Sequence, residues 1–301
     1  MRQLIYRIIY NPQINRVLRN INKILFPLLP DKIRIPPSGI LTIRNEAGRK
    51  IFIKTNQTNY LTYLLFWEGG YQNFEYTDIF LKLIKKVGTF YDIGANIGYY
   101  SLLAAMENEN IKIVGFEPAS GCHYYFQENV SLNRFSNIRI ERLALADKHG
   151  EIDFYEISNK KYLYLKYNLA GESNAGSLTS GRNFVIKKVK AMTLDDYVHE
   201  NKENLIDLIK IDTEGTESLI FQEAGHVLKT MRPIVICETL YNKIEKDLED
   251  IFSGYGYEFY NHTPKGLEKV NTIVRASDDG VRNCFFVHPD KFDLIREFVA
   301  Q

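Results

Sequence analysis

Cysteine is scarce in this chain, and long apolar runs are missing altogether. Only Cys122, Cys237 and Cys284 occur, an odd number, far apart and outside any CxxC or Cys/His grouping, so neither a disulfide framework nor a structural zinc site is encoded. A reducing, cytoplasmic setting is the expectation. No stretch reaches the ~18 to 20 consecutive apolar residues of a membrane-spanning helix, and the first residues lack the compact apolar core and small-residue cleavage site of a secretory signal. The chain is therefore expected to be neither exported nor membrane-spanning. An excess of one charge sign is lacking too: 38 Lys and Arg face 37 Asp and Glu, so nucleic acid would meet no basic field. The six histidines form no spaced pair with another ligand type, and no metal site is expected. Internal repeats and low-complexity tracts are absent.

What is present is enough apolar residue to build a core. At 301 residues and 45% hydrophobic, a disordered or fibrous chain is excluded, and the length suits one domain of roughly 200 residues with a smaller addition. From about residue 87 onward short apolar runs alternate with helical patterns, which predicts a doubly wound, mostly parallel α/β sheet. Four of these runs stop at a carboxylate: residues 89–92 at Asp92, 113–117 at Glu117, 208–212 at Asp212 and 234–238 at Glu238. Acids so placed line the carboxyl edge of one sheet, where open α/β folds bind ligands. Residues 1–86 read as an N-terminal extension and 87–301 as the main domain. The extension holds an amphipathic helical start over residues 1–35, a hairpin (40–44 with 50–54) and a helix near 77–86. Its start carries Arg2, Arg7, Arg16, Arg19, Lys23, Lys32 and Arg34 against Asp31 alone. Such a helix either rests on an anionic membrane as a peripheral contact or packs on its own domain with a solvated polar face. A polar, glycine-containing loop over residues 169–181 is either an active-site cover or a linker.

The turn after the first of these strands defines the ligand. Gly94 and Gly98 are spaced GxxxG, not GxGxxG, and Asp92 just before them would repel a pyrophosphate. A cofactor bearing an ammonium and a sulfonium would instead be attracted, and S-adenosylmethionine has both. Glu117, at the end of the next strand, stands where a carboxylate accepts from both ribose hydroxyls. Lys210 lies in an apolar run and needs a carboxylate partner such as Asp212, Glu217 or Glu238. Asp212 and Glu214, then Glu238, are candidates to orient an acceptor hydroxyl or take its proton; for Glu214 the alternative is a helix cap near Gly215. His262, in a late loop, is a lesser base candidate.

The ordered set Tyr91–Ser101 (YDIGANIGYYS), Phe116–Pro118 (FEP), Ala144–Asp147 (ALAD), Thr193–Asp196 (TLDD), Ile209–Glu217 (IKIDTEGTE) and Arg232–Glu238 (RPIVICE) resembles the FkbM family of S-adenosylmethionine-dependent methyltransferases. The resemblance implies a Rossmann-like class I methyltransferase sheet of seven strands, one antiparallel, and O-methylation of a hydroxyl, commonly on a sugar or natural product. It implies Asp92, Gly94, Asn96 and Gly98 as contacts to the amino acid part of the cofactor, Glu117 to its ribose, and Leu145 and Ala146 at its adenine. Tyr99 lies beside the same turn. The implied partner is a small-molecule or glycan acceptor, with glycan or glycolipid assembly as the setting and the oligomeric state open. Two other readings stand beside this one: a nicotinamide-dependent oxidoreductase, and a non-enzymatic carbohydrate-binding protein on a methyltransferase scaffold.

Overall fold

The computed structural model describes residues 1–25, 33–158, 160–170, 184–239 and 241–300. Helices α1 (Arg2–Ile9) and α2 (Pro12–Leu25) precede a hairpin of β1 (Gly39–Arg44) and β2 (Lys50–Thr55), then α3 (Tyr60–Trp67) and α4 (Thr77–Ile84). The chain next alternates through β3 (Thr89–Ile93), α5 (Tyr99–Glu107), β4 (Lys112–Phe116), α6 (Ser120–Asn133) and β5 (Ile138–Glu141). After β6 (Ala144–Leu145), β7 (Gly150–Ile157) and β8 (Phe184–Met192) come α7 (Leu194–Glu200), β9 (Leu208–Ile211), α8 (Glu217–Gln222), β10 (Ile234–Glu238) and α9 (Glu245–Gly254). The hairpin β11 (Glu258–Thr263) and β12 (Gly266–Val270), strand β13 (Asn283–Val287) and α10 (Phe292–Ile295) follow.

The main sheet runs β12-β11-β13-β10-β9-β3-β4-β5. Strands β5, β4, β3, β9 and β10 are parallel, and β13 inserts antiparallel between β10 and β11. These seven strands with one reversed are the expected sheet. An eighth, β12, folds back antiparallel on β11 through a tight turn. Successive residues of the central strands face opposite layers. Phe90 and Leu208 pack with α4, α5 and the β1–β2 hairpin, whereas Tyr91 and Ile209 pack with α7, α8 and α9. Ile43, Ile51, Ile53, Leu65 and Phe80 of the first 86 residues belong to the same buried cluster as Phe90 and Leu102. A second sheet, β6-β8-β7, stands beside the main one. The loop expected over residues 169–181 lies, from 171 on, outside the described residues.

Order in the main sheet reverses at β3: the chain moves outward through β4 and β5, then returns to lay β9 and β10 on the other side. A crevice opens at the carboxyl ends of the strands where the winding changes direction. The site occupies that crevice.

Helix α2 packs the opposite way from an ordinary surface helix. Its buried residues are Asn15, Arg19 and Asn22, each bound to the extended backbone of residues 35–40. Arg19 donates to the carbonyls of Ser38 (2.8 Å) and Ile40 (2.9 Å). Asn15 accepts from the Ser38 amide at 2.7 Å, and Asn22 from that of Ile35 at 2.9 Å. An extended segment leaves backbone groups that must find partners, and the polar face of α2 supplies them. The apolar face is left outward.

Candidate functional site

The turn after β3 is built by close approach. Gly94 has φ +72°, and a Cβ there would stand 2.0 Å from the Asp212 carbonyl oxygen; Gly98 has φ +86°, and its Cβ would meet the Phe126 ring at 2.1 Å. Both positions need glycine for conformation and for space. Between them Asn96 holds φ +52°, its side-chain oxygen accepting from the Ile97 amide (2.9 Å) and from Asn59 Nδ2 (3.0 Å). Glu117, at the end of β4, closes the turn from the other side. One carboxylate oxygen accepts from the Asn96 amide and the other from the Ala119 amide, both at 2.8 Å. Each oxygen keeps a lone pair for a further donor. Burial pushes the Glu117 acid up to about 8, against the downward pull of those two N–H groups.

This turn forms one wall of a cavity of about 1290 Å³. Gly94, Asn96, Tyr99, Glu117, Leu145 and Ala146 line it, as do Lys210, Asp212, Glu214 and Glu238. Two expected contacts are placed otherwise. Asp92 and Gly98 are not on the lining; Asp92 is completely buried one layer beneath. One Asp92 oxygen accepts from Ser101 N–H (3.1 Å) and Oγ (2.7 Å), fixing α5 to the strand, while the other lies 4.0 Å from Lys210 Nζ. The physical reason is the direction of the strand's last residues, which carries the Asp92 side chain under the turn and exposes the backbone after it. Tyr99 lines the cavity, but its hydroxyl is tied to Thr77 Oγ1 at 3.3 Å.

The expected buried ion cluster is present with partly different members. Lys210 Nζ lies 3.5 Å from Asp212, 4.0 Å from Asp92, and donates to the Gly94 carbonyl at 3.3 Å. Glu217 is not its partner. That residue turns back to accept from the amides of Thr213 (2.6 Å) and Gly215 (2.9 Å), holding the 213–216 loop rigid. Glu214 therefore is not the cap of α8; it stands exposed at the cavity rim with φ +59°. Glu238 sits on the floor, its acid pushed up to about 8 by burial and by the neighbouring charges of Asp212, Glu214, Glu75 and Glu217. One Asp212 oxygen is buried without a hydrogen-bond partner, while the carboxylate as a whole is partly exposed at the cavity lining.

Among the lining residues that the sequence does not point to, Asn59 and Glu75 come from the first 86 residues. Glu75, with φ +46°, accepts from the Tyr100 hydroxyl at 3.1 Å, and burial raises its pKa. Asn59 caps α3 through the Thr62 amide and reaches the glycine turn. The signal for Asn59 was its N-cap position before an apolar run; for Glu75 no local pattern pointed inward. His262 does not line the cavity; its ring meets the edge of Tyr76. Among the described residues no group of three or more His, Cys, Asp or Glu has the geometry to hold a metal ion.

The pocket at the winding reversal, with a glycine turn and a two-oxygen carboxylate facing it, defines a Rossmann-like nucleotide-cofactor enzyme of class I methyltransferase topology. The family model for the methyltransferase FkbM domain matches residues 92–259, and the chain belongs to that family. Membership implies S-adenosylmethionine as methyl donor and sets the nicotinamide alternative aside. The methyltransferase sdnD of Sordaria araneosa is 28% identical over 145 residues, which cover 42% of this chain and 56% of that protein. The chain thus spans little more than half the length of this curated relative. Among solved structures, methyltransferase FkbM from Methylobacillus flagellatus KT aligns at TM-score 0.42 and 13% identity, covering 67% of this chain and 43% of that one. Precorrin-6y C5,15-methyltransferase from Geobacter metallireducens GS-15 aligns at TM-score 0.39 and 11% identity, covering 70% and 86%.

Proposed function

We propose that the protein is an O-methyltransferase that moves a methyl group from S-adenosylmethionine to a hydroxyl oxygen, in a sugar of glycan or glycolipid assembly. The observation that carries the reading is the carboxylate floor of the cavity, where Glu238 has its acid raised to about 8 beside Asp212 and Glu214. A general base works best with a pKa near the working pH, and an alcohol must lose its proton as its oxygen is alkylated.

The residues present fit the cofactor. Glu117 offers the free lone pairs of two fixed oxygens for ribose hydroxyls, the backbone of residues 94–98 is bared by its glycines, and the partly exposed Asp212 carboxylate suits an ammonium or hydroxyl donor. Leu145 and Ala146 would border the adenine. When bound, the cofactor supplies a methyl group made electrophilic by its sulfonium. The chain's own contribution is position and proton management: Lys210 holds Asp212 in place, Glu75 and Glu214 add negative field, and Glu238 takes the proton. Asp92 acts from beneath, by fixing Lys210 and α5. Tyr60, Tyr155, Tyr162 and Tyr167 on the cavity wall are the kind of aromatic surface on which sugar faces stack. The three free, buried thiols support work in a reducing compartment, and no helix among the described residues is long and apolar enough to cross a membrane.

The test is mass spectrometry of a panel of free, nucleotide-linked and lipid-linked sugars incubated with enzyme and S-adenosylmethionine. One added methyl on a hydroxyl, lost in Glu238→Gln, is expected. Cofactor binding without methylation of any sugar, or methylation at nitrogen or carbon, would overturn the reading.

A further inference from the structure

We infer that α1 and α2 form a docking surface for an anionic lipid bilayer. Among the described residues, exposed large hydrophobic side chains are concentrated on these two helices and scattered elsewhere. Leu4, Ile5 and Ile8 of α1 and Ile14, Val17, Ile21, Ile24 and Leu25 of α2 are all at least 40% exposed, and Ile24 reaches 78%. On α2 they recur at three- and four-residue steps, so they form one continuous stripe.

The stripe cannot turn inward to join the core. The other side of α2 is committed by Asn15, Arg19 and Asn22 to the backbone of residues 35–40, and rotation would bury the stripe only by stripping those groups of their partners. Helix α1 is fixed in the same way. Gln3 donates to the Lys161 carbonyl (3.0 Å), the Tyr6 carbonyl accepts from the Tyr164 hydroxyl (3.1 Å), and the Tyr6 and Tyr162 rings meet edge to face at 5.2 Å. No residue of α1 is buried.

Charge selects the occupant. The first 25 residues carry five Arg or Lys and no Asp or Glu. Arg19 is buried, which leaves Arg2, Arg7, Arg16 and Lys23 exposed around the apolar stripe. An outward apolar face with basic flanks and no acid is the pattern of a helix lying in the plane of a membrane interface. A protein partner or a second copy would present its own acids at fixed points, whereas a bilayer of anionic headgroups meets basic flanks wherever they fall. Tyr162, which α1 holds, also lines the cavity, so the surface is mechanically attached to the pocket wall.

The experiment uses the full chain and reads binding alone, so its outcome is independent of whether the methyl acceptor is a sugar. Protein is sedimented with vesicles of equimolar phosphatidylcholine and phosphatidylglycerol, and with phosphatidylcholine alone. Co-sedimentation with the anionic vesicles only is expected. The exposed-site variant Ile8→Gln/Val17→Gln/Ile21→Gln, and separately Arg2→Gln/Arg7→Gln/Arg16→Gln, should each weaken it by about tenfold or more, since each basic residue near the surface and each inserted apolar side chain contributes. Binding of S-adenosylhomocysteine should be unchanged in both, which shows that they fold. The proposal is overturned if wild type stays in the supernatant, if either triple variant sediments like wild type, or if light scattering shows a dimer that the apolar variant abolishes.

Discussion

Replacing Glu117 by glutamine tests the cofactor assignment with a change of one atom. In the native site both carboxylate oxygens already accept a backbone N–H, from Asn96 and from Ala119. A glutamine amide presents one oxygen and one NH₂, so whichever way it turns, a donor faces a donor. The native pair of acceptors for two ribose hydroxyls becomes a single acceptor. Loss of one charge-assisted hydrogen bond costs about 1.5–3 kcal/mol, which is a rise of roughly 10- to 150-fold in Kd. Titration calorimetry with S-adenosylhomocysteine measures it without turnover. The pH dependence gives a second, signed check. Because the Glu117 acid is raised to about 8 and hydroxyl donors favour the carboxylate, wild-type affinity should increase as pH rises towards about 8 and level off above it. The slope should vanish in Glu117→Gln. It should persist in Glu238→Gln, whose native acid sits in the same range but on the cavity floor. A Glu117→Gln protein that folds and binds within about threefold of wild type would refute the assignment.

Three further outcomes follow from the same geometry. In wild type the methyl-transfer rate should rise with pH through about 8, and Glu238→Gln should lose that limb with a fall of about 10²- to 10⁴-fold in kcat; a variant with the wild-type profile would remove Glu238 as base. The Glu238 acid is raised from 4.5 to about 8 by folding, so its stabilising effect is complete below about 4.5 and lost as pH rises through about 8, and thermal melts of Glu238→Gln should decline less across that window. Gly94→Ala would put a Cβ 2.0 Å from the Asp212 carbonyl at φ +72°, a strain of at least about 3 kcal/mol that lowers Tm by roughly 5 °C or more in a chain of this size or prevents folding; a melt within a degree or two of wild type would mean the turn is looser than its geometry indicates.

The parallel strands were legible because residues buried on both faces leave continuous apolar runs, and each run ended at an acid. Glu117, Asp212 and Glu238 were legible for the same reason, since the end of a parallel strand fixes which edge its last residue occupies. Asp92 was read as a ligand contact because its position on the strand is indistinguishable in sequence from one that faces the cavity; only the turn's path sends its side chain beneath. Glu75 was hidden by distance along the chain. It reaches Tyr100 through a left-handed bend that no helical or strand period marks. In α2 the apolar period was read correctly as a helix, but period alone cannot say which face is covered. That depended on the backbone of residues 35–40, whose free groups Asn15, Arg19 and Asn22 satisfy.

The floor of the cavity carries an unbalanced charge, and the imbalance connects binding to chemistry. Glu75, Asp212, Glu214 and Glu238 converge there with Lys210 as the near cation, and Asp92 adds a further acid below. One ammonium cannot neutralise them, and burial, with the repulsion of the neighbouring acids added to it, raises Glu75 and Glu238. Such a floor favours a positively charged occupant over a neutral one of the same shape by the Coulomb energy of one charge against several acids. On the proposed reading the methyl donor carries that charge and the demethylated product does not. The same carboxylates that draw the donor in therefore hold the product less tightly, and the proton left on Glu238 removes part of the negative field at the same time. The acids at the strand ends thus favour both capture before the reaction and release after it, a reason for their number that no single role as ligand or base would supply.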